Sequence, residues 1–113
     1  MTSHFVPQAG DFVWLTFDPQ AGREQAGRRP ALVLSPRSYN AKSGLMLACP
    51  ITTQVKGYPF EVAVPADLGA TGVILADHVK SVDWKARQAK RLGRCTEEVM
   101  YEVRARLALL LGF

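Results

Sequence analysis

The sequence predicts a mostly β fold with some helix: a small twisted β-barrel or half-barrel closed by one C-terminal helix. Three observations carry this expectation. Short runs rich in β-branched and aromatic residues follow one another along most of the chain. Clusters of Gly, Pro, Asn and Asp separate them, as turns between strands require. Only the tail has apolar residues at spacings of three and four, which is a helical stripe.

The first run, Asp11 to Phe17, reads as a strand ended by Asp18-Pro19. Gln20 to Arg28 is polar, contains Gly22 and Gly27, and reads as an exposed, mobile loop. Pro30 to Ser35 is a second strand, with proline at its start where a missing N–H is tolerated. Pro36 to Gly44 is a connection with at most one helical turn around Tyr39-Asn40. Leu45 to Ile51 is a third apolar run, and Gln54 to Pro59 is a turn. Phe60 to Val64 alternates as a strand does. Val73 to Leu75 and Val79 to Val82 are two more, and Arg87 to Leu92 is a candidate for another. In the tail, Val99, Met100, Val103, Leu107 and Leu110 form the helical stripe. Thr96 suits the N-cap, Glu97 and Glu98 complement the positive helix end, and Gly112 suits the stop.

A length of 113 residues fits one compact domain, and 48% hydrophobic with 21% charged residues argues against disorder. No apolar run is long enough to span a bilayer, and the N-terminus does not read as a signal peptide, so a cytoplasmic protein is expected. Cys49 and Cys95 show no metal-ligand spacing and are expected to be free thiols. Cys95, just before the helix, is either a stabilised thiolate or an ordinary half-buried thiol. The net charge of +4 suits a polyanionic partner. Lys80, Lys85, Arg87, Lys90, Arg91 and Arg94 face only Asp83 in their stretch, which makes that stretch either a nucleic-acid contact or a solvated basic edge.

Polar residues gather at two strand junctions. Glu24, Gln25, Arg28 and Arg29 lead into the second strand, and Thr52, Thr53, Gln54 and Lys56 follow the third. If those strands are neighbours, the groups meet at one rim of the sheet. Their chemistry fits RNA cleavage. A carboxylate can take the proton of the 2′-hydroxyl, an arginine can stabilise the phosphorane, and a threonine can hold the phosphate. The competing readings are a loop ion pair for Glu24 and Arg29, and ordinary strand-end threonines. His78 is paired with Asp77, part of a turn, or a candidate acid/base. No Asp/Glu/His cluster has metal-ligand spacing, so no metal and no other cofactor is expected. Trp14, Phe17, Tyr39, Tyr58 and Trp84 are candidate stacking faces, with most of the aromatics expected in the core.

An ordered set of motifs then carries a family resemblance: Phe5-Val6-Pro7 with Gly10-Asp11, Phe17-Asp18-Pro19, Glu24-Gln25-Ala26-Gly27 with Arg29-Pro30, and Val33-Leu34-Ser35-Pro36 with Tyr39-Asn40. Thr52-Thr53-Gln54, Lys56 to Phe60 and Ala76 to Ser81 complete it. Over nearly the whole chain the sequence resembles the MazF toxins. The resemblance implies an SH3-like barrel, a homodimer, and an endoribonuclease that cuts messenger RNA within a short sequence without metal, leaving a 2′,3′-cyclic phosphate and a 5′-hydroxyl. It implies catalytic roles for Arg29 and Thr52 with a contribution from Glu24. It implies RNA contacts at Phe17, Gln25, Asn40, Thr53, Lys56, Lys80 and Ser81; Arg28, by its own charge and outside the family pattern, adds a phosphate-binding group. It also implies a MazE-like antitoxin whose acidic tail competes with RNA for a basic groove.

Two stretches depart from the pattern. Arg28 stands where members often carry histidine, which weighs against a histidine general acid in this loop. Leu68 to Gly72 matches the pattern poorly and is a candidate to alter base preference or dimer geometry. Two rival functions follow from the sequence: a CcdB-like toxin that poisons gyrase on the same barrel, and a non-catalytic RNA-binding module. The Glu24, Arg29 and Thr52 contexts favour the nuclease.

Overall fold

In the computed structural model, residues 5–17 and 27–113 are described. The elements are β1 (Asp11–Phe17), β2 (Gly27–Val33), α1 (Arg37–Ser43), β3 (Leu45–Thr52), β4 (Glu61–Ala63), β5 (Val73–Leu75), a 3-10 turn (Ala76–His78), β6 (Lys80–Asp83), β7 (Lys90–Arg94) and α2 (Glu97–Leu111). The mostly β architecture with a C-terminal helix is as expected. Strand order is β4-β5-β3-β2-β1-β7, with β6 also on β3. The first half of β3 pairs with β6 and its last two residues with β5, and the 3-10 turn makes the change between them.

Each central strand is buried on both faces. Phe12, Leu32, Cys49 and Ile51 join Val99, Met100 and Val103 of α2 in one cluster, while Val13, Leu15, Phe17, Ala31, Val33, Met46 and Ala48 form a second on the opposite face. This explains why the second and third runs read as continuously apolar rather than alternating. Phe12 of β1 and Val62 of β4 share the first cluster although β5, β3 and β2 lie between their strands, so the sheet curls around α2.

The curl does not close. Among the described residues β4 and β7 share no ladder, so the barrel is an open one. The loop before β5 fills the gap instead: Gly69 packs on the Leu92 carbonyl, Gly93 on the Leu68 carbonyl, and Gly72 on the Thr52 carbonyl. Side chains cannot fit at these approaches, which accounts for the glycines in this connection.

α2 matches its expected range and caps. The Thr96 side chain accepts from the Val99 N–H at 3.2 Å, and Gly112 is left-handed at the other end. Three boundaries differ from expectation. β2 begins at Gly27 rather than Pro30, because Gly27, Arg28 and Arg29 continue the ladder with β1 despite being polar. The last strand is Lys90–Arg94 rather than Arg87 to Leu92, because Asp83 to Ala89 forms a turn in which the Asp83 carboxylate accepts from the Ala86 N–H. Arg37–Ser43 is a full short helix.

Candidate active site

The expected loop from Gln20 to Arg28 lies outside the described residues up to Ala26, and Glu24 and Gln25 are therefore not located. The strands that flank it are. The β2–β3 ladder runs from Val33↔Ala48 to Ala31↔Pro50. Beyond the end of that ladder, Arg28 and Arg29 line the same groove as Thr52, Thr53 and Gln54, so the described parts of the two strand junctions meet at one rim.

Alternation along a strand sorts the remaining residues by face. Arg29, Thr52 and Lys80 share the face of the second cluster with Phe17. The Lys80 ammonium sits 5.8 Å from the centre of the Phe17 ring. Thr52 is nearly buried, and its hydroxyl accepts the Gln54 N–H at 3.1 Å, which fixes the chain as it leaves β3. Arg29 and the anchored Thr52 hydroxyl together line one groove, a cation and a hydroxyl of the kind that can hold a phosphodiester.

Arg28 falls on the other face. Arg28 donates to the Thr16 hydroxyl at 2.8 Å and to the Gln88 carbonyl at 3.0 Å, with its guanidinium 5.7 Å from the Trp14 ring centre. At this lip a groove of about 590 Å³ opens, lined by Arg28, Arg29, Thr52 and Thr53 together with Trp14, Pro30 and Ile51. Gln54, Thr71 and Leu92 complete its wall. The sequence signalled Trp14 as a stacking candidate and the Leu68 to Gly72 stretch as a departure; nothing in it signalled Leu92.

Two of the expected RNA contacts are buried in this structure. Asn40 has 0% exposure, and its side chain is fully engaged. It accepts from the Ser35 hydroxyl at 2.6 Å and donates to the Pro7 and Ser35 carbonyls at 2.8 and 3.0 Å. Phe17 also has 0% exposure and belongs to the core, so neither offers a surface to a base. Burial also removes Trp84 as a stacking face; its indole N–H donates to the Asn40 carbonyl at 3.0 Å. Ser81 is exposed on β6. Lys56 is exposed in the turn after β3, where the Glu61 carboxylate accepts the Lys56 and Gly57 N–H groups at 3.1 and 2.9 Å.

The basic run is divided in its use. Arg91 and Arg94 pair with buried Asp11 at 3.4 and 2.9 Å, Arg87 donates to the Thr16 carbonyl, and Lys85 lies over the Trp84 ring. His78 lies 3.9 Å from Asp77, as the paired reading expected. Cys95 is the ordinary half-buried thiol: burial pushes it up to about 11, outweighing the Thr96 backbone hydrogen bond. Burial pushes Cys49 higher, to about 12. Both cysteines are free. Among the described residues, no three His, Cys, Asp or Glu side chains converge as a metal site would require. No described helix is long and apolar enough to cross a membrane.

A family model for the PemK-like, MazF-like toxin of type II toxin-antitoxin systems matches residues 8–111. The chain belongs to this toxin family. It is 49% identical over 112 residues to the endoribonuclease toxin MazF of Escherichia coli strain K12, covering 99% of this chain and all of that one. Endoribonuclease PemK of Escherichia coli is 36% identical, covering 88% and 78% of the two chains. Among solved structures, MazF (Form-I) from Deinococcus radiodurans matches with TM-score 0.93 and 58% identity, over 97% of this chain and 100% of that one. MazE-MazF (Form-II) from the same organism matches with TM-score 0.88 and 58% identity, over 97% and 99%.

Proposed function

We propose that this chain is an endoribonuclease toxin that cuts single-stranded messenger RNA within a short sequence, without a metal ion. The observation that carries the reading is that Arg29 and Thr52 line one groove at the rim. Its family membership and the endoribonuclease names of its relatives support it.

In the proposed reaction Glu24 takes the proton of the 2′-hydroxyl, and the O2′–P bond forms as the P–O5′ bond breaks. Extra negative charge develops on the phosphorane oxygens. Arg29 stabilises that charge, and Thr52 positions the phosphate. An arginine is a poor proton donor at neutral pH, so its role is electrostatic. The leaving 5′-oxygen takes a proton from water, so the products carry a 2′,3′-cyclic phosphate and a 5′-hydroxyl. Metal independence rests on the sequence, in which no Asp/Glu/His cluster has metal-ligand spacing.

The partners in this reading are single-stranded RNA, a second copy of the chain and a MazE-like antitoxin, all in the cytoplasm. The antitoxin complexes of the Deinococcus relatives support the last partner. The basic rim offers its acidic tail the same charges that RNA would use. Exposed Leu109, Leu111 and Phe113 at the end of α2 support association of copies.

The deciding experiment incubates purified, antitoxin-free protein with a long single-stranded RNA in excess EDTA and maps the cut sites and their end groups. Discrete cuts ending in cyclic phosphate are expected. Intact RNA, with the protein folded, would overturn the proposal.

A further inference from the structure

We infer that Arg28 is a positioning residue of the nuclease: its guanidinium locks the turn between β6 and β7 onto the end of β1, and so holds its chain neighbour Arg29 in place. The inference rests on the endoribonuclease reading and adds to it what keeps the proposed catalytic cation in register.

Arg29 sits where β2 is laddered from one side. Gly27 to Leu32 pair with β1, whereas the ladder with β3 covers only Ala31 to Val33. Pro30, next to Arg29, has no N–H to give to a ladder. The start of β2 therefore depends on the end of β1 for its register. The end of β1 in turn lies beyond its ladder with β7, which stops at Trp14↔Lys90. Placement matters here, because a shift of a catalytic group by about 1 Å can cost on the order of a hundred-fold in rate.

Arg28 supplies a tie at this point. Thr16 stands directly opposite it on β1. One Nη of Arg28 donates to the Thr16 hydroxyl at 2.8 Å and to the Arg87 carbonyl at 3.4 Å, and the other donates to the Gln88 carbonyl at 3.0 Å. The Trp14 ring centre lies 5.7 Å from the guanidinium, which adds a cation–π contact. Thr16 is gripped by the turn as well: its N–H donates to the Arg87 carbonyl at 3.2 Å, and its carbonyl accepts from the Arg87 guanidinium at 3.3 Å. One planar fork thus spans β2, β1 and the turn. The turn has use for such a hold, because Gln88 has φ +56, a left-handed conformation that favours glycine. Its own carbonyl is one of those that Arg28 takes.

The same bonds separate this role from that of a phosphate-binding charge. Three hydrogen bonds of the guanidinium, which has five N–H groups in all, are committed to protein acceptors. The side chain is half-buried and points to the face opposite that of Arg29. A lysine at this place would keep the charge, but an ammonium is a point charge and cannot span three acceptors with a planar fork. A phosphate contact depends chiefly on charge, whereas a tie depends on the fork, so substitution distinguishes them.

The experiment compares the wild type with Arg28→Gln, Arg28→Lys, Thr16→Val and the double variant of Thr16→Val with Arg28→Gln, each checked for folding by circular dichroism. Two quantities are read: the single-turnover cleavage rate at saturating enzyme, and the salt dependence of Kd for an RNA blocked by a 2′-deoxy nucleotide at the mapped cut. Arg28→Gln is expected to lower the rate about ten-fold through misplacement of Arg29, with the slope of log Kd against log salt unchanged. Arg28→Lys is expected to recover little of the rate. Thr16→Val is expected to lower it a few-fold alone and to add almost nothing to Arg28→Gln, since both remove one tie. A salt slope shallower by about 0.7 with full recovery by lysine would overturn the inference and make Arg28 a phosphate contact. A lower melting temperature with an unchanged rate would also overturn it, leaving a purely structural tie. Should Arg28→Gln fail to fold, Arg28→Lys and Thr16→Val decide by the same two readouts. Failure of the wild type itself to cut RNA would instead overturn the endoribonuclease reading.

Discussion

Gly72 lies directly on the carbonyl of Thr52, so close that a Cβ built on the glycine would overlap the carbonyl oxygen. The residue also has φ +117, a conformation that L side chains rarely adopt. The contact joins the connection before β5 to the end of β3, where the phosphate-binding hydroxyl is proposed. Gly72→Ala should therefore destabilise the protein by about 3 kcal/mol, from overpacking and a disfavoured φ together. Urea denaturation checks this. A midpoint equal to the wild type would show that the loop is not seated on β3.

Arg29→Ala should lower kcat by about a hundred-fold or more, if the guanidinium stabilises the phosphorane. Arg29→Lys should recover only part of it, since an ammonium lacks the planar fork. Single-turnover cleavage with saturating enzyme separates this from binding. A rate within a few-fold of the wild type for the alanine variant would remove Arg29 from the catalytic set.

Asn40→Ala should cost stability rather than RNA affinity. It deletes three hydrogen bonds in a site with 0% exposure and strands the Pro7 and Ser35 carbonyls. The expected loss is about 2–4 kcal/mol. Thermal or urea unfolding reads it directly, and a neutral outcome would mean that Asn40 is not the internal tie described above.

Alkaline pH should weaken the fold through its thiols. Burial raises Cys49 to about 12 and Cys95 to about 11, whereas an unfolded thiol ionises near 9. Their contribution is complete below pH 9, where both states are protonated. It falls as pH rises through 9 toward 11 and 12, because the unfolded chain releases these protons first. Between pH 8 and pH 10.5 the urea midpoint should drop, and the drop should be smaller in Cys49→Ala and Cys95→Ala. At pH 8 the native thiols should react with iodoacetamide much more slowly than those of the unfolded chain, Cys49 most slowly. Rapid native alkylation of Cys49 would contradict its burial.

Much of the fold was legible because the relevant physics is local. The spacing of Val99, Met100 and Val103 describes one helical stripe, and these residues are the ones α2 buries. Thr96 and Gly112 cap the helix as their chemistry suggests, and Asp11 to Phe17 is a strand over its whole expected length. The start of β2 was missed because Gly27 to Arg29 is polar, and only its ladder with β1 reveals a strand. The aromatic and amide side chains were the least legible. Phe17 and Asn40 carry groups suited to RNA, yet the decision between surface and core depends on what packs around them.

The sequence by itself determined the mostly β class, the position and caps of the C-terminal helix, and the two polar junctions at which the chemistry gathers. Periodicity, turn residues and side-chain type are properties of short stretches, and they survive in any reading of the chain. Tertiary structure alone decided that Arg29 and Thr52 line one groove, while Arg28 reaches across to Thr16 and Gln88. It alone turned Asn40 inward to tie Ser35 to Pro7, and set the Leu68 to Gly72 connection against β3 and β7 rather than free in solvent. Those outcomes depend on register and on the approach of segments far apart in the chain, where a shift of one residue reverses the face a side chain meets.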